Sequence, residues 1–199
     1  MEFRVERVDY KTAKQFVETW HYSGCIPKGR NVCFGLFADN ALYAVIVYGN
    51  GVNPYQASFL GVERVVEIKR MCRIEPRLEE YPLTKFIALT SKLLMVDYPY
   101  DCIVAFADPE HGHEGTVYKA ANFWKHGVTQ AEWHVVDASG EVKHRRVAYR
   151  HARRNGLTIA ESRDVLGLTR VKTLPKIRWV RYFGKFKRLN NHATVVHEL

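Results

Sequence analysis

Long apolar runs are missing from this chain. No stretch of about 18 apolar residues occurs, which argues against a transmembrane helix. The opening Met1-Glu2-Phe3-Arg4-Val5 lacks the apolar block of a secretory signal, so the protein is read as cytoplasmic, with no membrane partner. Cysteine is sparse. Cys25, Cys33, Cys72 and Cys102 include no C-x-x-C pair, which argues against a disulfide framework and a cysteine-rich zinc site. Cys33, Cys72 and Cys102 sit in apolar runs and read as small buried hydrophobes. Acids are nearly absent from one region. Residues 143–188 hold 15 of the 30 Lys and Arg but only Glu161 and Asp164 as acids, a net +13. The remainder holds 15 basic against 19 acidic residues, a net −4. A basic C-terminal third on a nearly neutral body is the footprint of a polyanion binder, with a solvated basic surface as the plain alternative. Aromatic residues interleave with the charges in Lys176-Ile177-Arg178-Trp179-Val180-Arg181-Tyr182-Phe183. That pattern favours nucleic acid, because bases stack on rings while phosphates pair with Arg and Lys.

What is present supports a folded domain: 199 residues, 47% of them hydrophobic, are enough for one core. Alternation over Phe3 to Val8 predicts a strand, and Ala13, Phe16, Val17 and Trp20 recur at helical spacing after Thr12. Val32 to Ala38 and Ala41 to Tyr48 flank Asp39-Asn40 as a hairpin. Arg64 to Ile74 reads as a strand with Val66, Ile68 and Arg70 on one face. Pro82 starts a long helix, Leu83 to Val96. Cys102 to Ala107 is a continuous apolar run, as in a central strand buried on both faces. Asp108 to Gly115 is a polar loop, followed by a helix over Thr116 to His126. Strands are expected at Glu132 to Val136, Glu141 to Val147 and Ile177 to Phe183. Short helices are expected at Tyr149 to Arg154 and Thr158 to Leu166, the second opened by a Thr158/Glu161 capping box.

This order predicts an α/β (α+β) protein with a mixed central sheet flanked by helices, and it resembles the GCN5-related N-acetyltransferase fold. Residues 1–199 read as one domain, with 1–140 as its core. Residues 141–199 are expected to form a basic C-terminal part that completes the sheet and binds nucleic acid.

Polar groups concentrate in three places: Trp20-His21-Tyr22-Ser23, Asp108 to Gly115, and Tyr118. Ligands of open α/β sheets bind outside the carboxyl ends of strands, which makes Asp108 the best-placed acid; an Asp leaving a strand also serves as a loop anchor. His21 and Tyr22 offer a proton shuttle and a phenol, or His21 merely satisfies the helix end. His111 and His113, beside Glu110 and Glu114, are candidate ligands for iron or zinc.

Trp20-His21-Tyr22-Ser23 with Pro27-Lys28-Gly29-Arg30-Asn31 resembles the N-terminal motif of the phage Mom family. Ala107-Asp108-Pro109, His111-Gly112-His113, Gly115, Val117-Tyr118-Lys119-Ala120 and Asn122-Phe123 resemble its central motif. Lys176 and Arg178 before an apolar strand resemble its C-terminal segment. The resemblance implies conversion of adenine in double-stranded DNA to N6-carbamoylmethyladenine, which shields phage DNA from restriction in the host cytoplasm. It implies catalytic roles for His21, Tyr22, Asp108 and Tyr118. Ser23, Arg70, Arg73, Arg77 and Asn122 are then candidates for holding substrate or donor, and Lys176, Arg178, Arg181 and Lys185 for holding DNA.

Two departures from ordinary acetyltransferases stand out. Their glycine-rich phosphate loop is replaced by Arg73 to Pro82, which has no glycine, so Arg73 or Arg77 is the candidate substitute for an amide cradle. Their tyrosine near the last helix is replaced by Phe123. The donor therefore stays open between an acyl-CoA such as acetyl-CoA and an aminoacyl-tRNA. A conventional acetyltransferase and a non-enzymatic DNA-binding protein are the rival readings.

Overall fold

The computed structural model describes residues 2–51, 53–74, 81–143 and 145–191. Arg77 and most of the glycine-free stretch lie outside the described residues. In chain order the elements are β1 (Phe3–Val8), α1 (Tyr10–Trp20), β2 (Asn31–Ala38), β3 (Ala41–Gly49), α2 (Gln56–Phe59), β4 (Val65–Arg73), α3 (Leu83–Asp97) and β5 (Cys102–Ala107). A 3-10 turn at Pro109–His111 follows. Then come α4 (Thr116–Ala120), β6 (Trp124–Val128), β7 (Trp133–Val136), β8 (Val142–Lys143), α5 (Arg146–Asn155), α6 (Ile159–Val165), β9 (Thr169–Lys172), β10 (Ile177–Tyr182) and a 3-10 segment at Gly184–Asn191.

Seven strands form a mixed sheet in the order β1-β2-β3-β4-β5-β10-β6. The first four make an antiparallel meander. Its β2–β3 turn uses Asp39 and Asn40 at φ 46° and 67°, which these two residue types tolerate and which matches strand twist. β4 then pairs in parallel with β5, but only from Val65↔Cys102 to Ile68↔Ala105. Beyond that register β4 continues along β3, and the sheet opens at the carboxyl end of β5. β10 lies antiparallel between β5 and β6, with Ile177 opposite Ala107.

Helices cover both faces. Ala13, Phe16 and Val17 of α1 pack on Cys33, Val45 and Val47. On the other side, Phe86, Ile87 and Leu94 of α3 join Phe34, Leu36, Ile46, Ile103 and Ala105. β5 is buried along nearly its whole length, in keeping with its apolar run.

Several boundaries differ from the sequence reading. α1 starts at Tyr10 because Asp9, and not Thr12, caps it: the Thr12 amide donates to Asp9 Oδ1 at 2.7 Å. The helix expected over Thr116 to His126 stops at Ala120. Asn122 turns left-handed at φ 61°, the Asn122 amide donates to Lys119 O and the Phe123 amide to Tyr118 O, a paired hydrogen-bond stop at a helix end. The freed residues become strand β6. The strand expected over Glu141 to Val147 is only Val142–Lys143, because Arg146 already begins α5. The Thr158/Glu161 capping box is present at α6. A second, three-stranded sheet, β8-β7-β9, stands apart from the main one, a separation that the strand pattern does not announce.

Candidate active site

The opening beside β5 is built by local devices around Asp108 and Gly115. Asp108 leaves β5 and accepts the Glu110 amide on Oδ1, capping the 3-10 turn. Its Oδ2 meets Lys176 Nζ at 3.0 Å. This pairing follows from register: Ile177 faces Ala107, so the preceding lysine faces the following aspartate. The Asp108 side chain is buried, whereas Lys176 is half exposed. Gly115 at the end of the loop has φ 86°, and a Cβ there would sit 2.0 Å from Nε1 of Trp179. Only glycine fits the backbone angle and the indole that lies against it.

His21, Tyr22, His111 and His113 form an aromatic wall. The Tyr22 ring stacks on His111 at 3.9 Å between centroids and lies 4.3 Å from His21 and 5.6 Å from His113. Tyr22 itself is half exposed, which leaves ring surface for a planar ligand. Burial, then the charges of Arg70, His113 and His111, hold the His21 pKa down to about 4. His21 is therefore neutral at pH 7. Its Nδ1 accepts the Ser23 amide at 3.0 Å, so the proton of the neutral ring sits on Nε2. In this tautomer His21 presents a donor, and Asp108 is the group with acceptor capacity.

Tyr22, Tyr118 and their neighbours share one electrostatic environment. Burial and the Asp108 carboxylate raise the Tyr22 pKa, while Lys176 and Arg70 pull it down. Tyr118, buried on α4 against Phe123, is raised by burial and by the proximity of Tyr22, Tyr48 and Glu67. Both phenols therefore stay protonated at neutral pH and can donate a hydrogen bond to a ligand. Glu67, whose charge reaches Tyr118, is an acid that sequence reasoning did not single out. Its signal was an acid inside the apolar run Val65-Val66-Glu67-Ile68, on the strand that parts from β5.

The remaining candidates have varied placements. Arg70 donates through Nε to Cys25 O at 2.7 Å and ties the loop after α1 to β4. Ser23 Oγ donates to Cys25 O in the same loop. Arg73 ends β4, and exposed Asn122 forms the turn after α4. Arg178 and Arg181 are half-buried in β10 and donate to the carbonyls of His126 and Ala121. Lys185 is exposed, 3.4 Å from Glu63. Trp179 and Tyr182 are buried in the sheet, so the rings between those charges fill the core and are not surfaces for stacking bases. Among the described residues no three His, Cys, Asp or Glu side chains converge as a ligand set for iron or zinc. His111 and His113 instead take part in the ring cluster around Tyr22.

One consequence of the neutral His21 is measurable. Above about pH 6.5 it is neutral folded and unfolded alike. As pH falls toward 4 only the unfolded chain takes up the proton, so folding loses up to about 1.4 kcal/mol per pH unit from this group. Denaturant unfolding at pH 7 and about pH 4.5 should show a smaller stability loss in His21→Asn than in the unsubstituted protein. An equal loss would contradict the buried neutral imidazole.

The sheet, its opening at β5 and the helices on both faces define an acetyltransferase-like α/β protein. A spermidine N-acetyltransferase from Vibrio cholerae superimposes with a TM-score of 0.54 at 10% identity, over 96% of this chain and 98% of that one. An IAA acetyltransferase from Bacillus cereus gives 0.51 at 10% identity, over 92% and 100%. At this identity the likeness concerns the fold. The chain belongs to the Mom protein family, which it matches over residues 2–196. The methylcarbamoylase mom of Escherichia phage Mu is 27% identical over 198 residues, covering 95% of this chain and 80% of that protein. No helix among the described residues is long and apolar enough to cross a membrane.

Proposed function

We propose that this protein is a DNA-modifying transferase that converts adenine in double-stranded DNA to N6-carbamoylmethyladenine and so protects phage DNA from restriction in the host cytoplasm. Membership of the Mom family supports the substrate and the reaction. The observation that carries the reading is the buried Asp108 carboxylate. It stands at the carboxyl end of the central strand, held by Lys176, beside an aromatic wall with an exposed ring.

The chemistry follows from these groups. The N6 lone pair of adenine is delocalised into the ring, so a base has to accept the N6 proton as the new N–C bond forms. Asp108 takes that proton as N6 attacks the donor's acyl carbon, and the thiolate or tRNA hydroxyl leaves with the bonding electron pair. A glycyl group so transferred is an isomer of carbamoylmethyl, and the product forms when N6 moves to the methylene carbon and the amine to the carbonyl carbon. Tyr22 offers an extruded adenine a stacking face, and Tyr118 and the Nε2–H of His21 donate hydrogen bonds. Arg70, with Ser23 and Asn122, is assigned to substrate or donor. Arg73 and Arg77 are assigned to an anionic part of the donor, an acyl-CoA or an aminoacyl-tRNA. Residues 1–199 work as one catalytic unit, with 141–199 as the part that holds DNA. Lys185 is the exposed member of the DNA set; Lys176, Arg178 and Arg181 also support the site and the sheet.

The test is mass spectrometry of nucleosides from DNA of cells expressing the soluble protein. A new deoxyadenosine heavier by one carbamoylmethyl group is expected. Digests with only standard bases and host methylation would overturn the reading.

A further inference from the structure

Residues 129–176 leave the main sheet after β6 and return at β10, at neighbouring points: Val128 pairs with Ile177. Between them stands a small unit of its own, the β8-β7-β9 sheet with α5 and α6. The helices are locked together by Ser162, whose Oγ donates to Ala148 O and meets His151 Nδ1. α5 buries Ala148 and Ala152 and carries no acid. Arg150, Arg153 and Arg154 lie at i, i+3 and i+4, so they share the exposed face of that helix.

A groove of about 300 Å³ separates α5 and α6 from the small sheet. Trp133 and Tyr149, both substantially exposed, line it with Arg163 and Arg170. The Arg170 guanidinium lies 4.1 Å over the Trp133 ring, and the Arg170 side chain is exposed. Arg163 Nε is buried without a hydrogen-bond partner among the described residues. Aromatic faces, planar cations and an unused buried donor together fit a group with a flat ring and acceptor oxygens. The return path is tied to the active site. The Leu174 amide donates to Glu110 Oε1 at 2.9 Å, and Lys176 pairs with Asp108.

We propose that this inserted unit is the protein's main grip on DNA: Arg150, Arg153 and Arg154 follow the phosphate backbone, and the Trp133–Tyr149–Arg163–Arg170 groove seats one unpaired nucleotide of that DNA. The assignment rests on DNA being the substrate, and it moves the main grip from β10 to α5. β10 is buried between β5 and β6, and its arginines already hold backbone carbonyls.

The test uses the full chain and fluorescence anisotropy with two short duplexes, one fully paired and one with a single mismatch, at several salt concentrations. The unsubstituted protein should bind both and prefer the mismatched duplex. Neutralising Arg150, Arg153 and Arg154 to Gln should weaken binding to both by roughly tenfold or more at low salt. It should also flatten the log–log salt slope by up to about 3. The same charge change at Lys11, Lys14 and Lys92 on α1 and α3 should do much less. Tyr149→Ser with Arg170→Gln, both exposed side chains, should reduce the mismatch preference to the part contributed by the stacking face of Tyr22, while the melting curve stays cooperative. An α5 triple variant that binds with unchanged affinity and slope overturns the proposal, as does a groove variant whose mismatch preference is undiminished. If the unsubstituted protein binds neither duplex, the DNA reading itself fails with it.

Discussion

Asp108→Asn should lower DNA modification by roughly 10²–10⁴-fold, the range lost with a general base. The substitution keeps the volume of the side chain and an oxygen able to accept the Glu110 amide, so the 3-10 turn survives. It removes the negative charge and the capacity to take the N6 proton. Lys176 loses its ion-pair partner but is half exposed and can be solvated, so little stability should be lost. Modified nucleoside per protein, measured beside thermal melting and DNA affinity, separates chemistry from folding. Near-normal modification by a well-folded Asp108→Asn variant would sink the assignment. Attention would then move to Glu67, the other acid in the field of Tyr118.

Gly115→Ala should be the most damaging small substitution in the loop. Two costs add. An L-residue at φ 86° is strained by about 1–2 kcal/mol, and the new methyl would have to displace the Trp179 indole, a buried ring with little room to give. A loss of about 2–4 kcal/mol, or a drop in Tm of roughly 5–15 °C, is expected. Gly112→Ala provides the internal comparison. Its φ of 71° is similar, but nothing lies within 4 Å of the added Cβ. It should cost about 1 kcal/mol. Equal losses at the two positions would show that backbone strain alone matters and that Trp179 does not shape the loop. Because Trp179 belongs to β10 and Gly115 borders the Asp108 loop, the variant should also lower modification beyond its effect on stability.

The two substitutions probe different halves of one arrangement. Asp108 is the base of the proposed mechanism and Gly115 shapes the loop beside it, and the Lys176 and Trp179 contacts of both depend on β10 lying beside β5. This also explains why the aromatic and basic run of residues 176–183 is misleading as a surface motif. Its rings alternate into the two faces of a buried strand, and its arginines reach carbonyls on neighbouring elements. The surface features of an anion binder lie instead on α5.

Neighbouring residues were enough to determine the parts of the fold governed by local rules. The apolar run of β5, the Asp39-Asn40 hairpin, the α3 helix after Pro82 and the Thr158/Glu161 capping box each reflect a period or a turn chemistry contained in a few consecutive residues. His21, Tyr22, Asp108 and Tyr118 stand out as site candidates in the sequence because they fall in unusual motifs, and because Asp108 follows the apolar run of a central strand. Tertiary structure alone decided the pairings between distant segments. The insertion of β10 between β5 and β6 depends on a register between segments far apart in the chain, and it alone brings Lys176 to Asp108 and Trp179 to Gly115. The early stop of α4 follows the same logic. Trp124 to Val128 pair with β10 at the sheet edge instead of continuing the helix. No local pattern encodes that choice, because the whole inserted unit separates these residues from their partner strand.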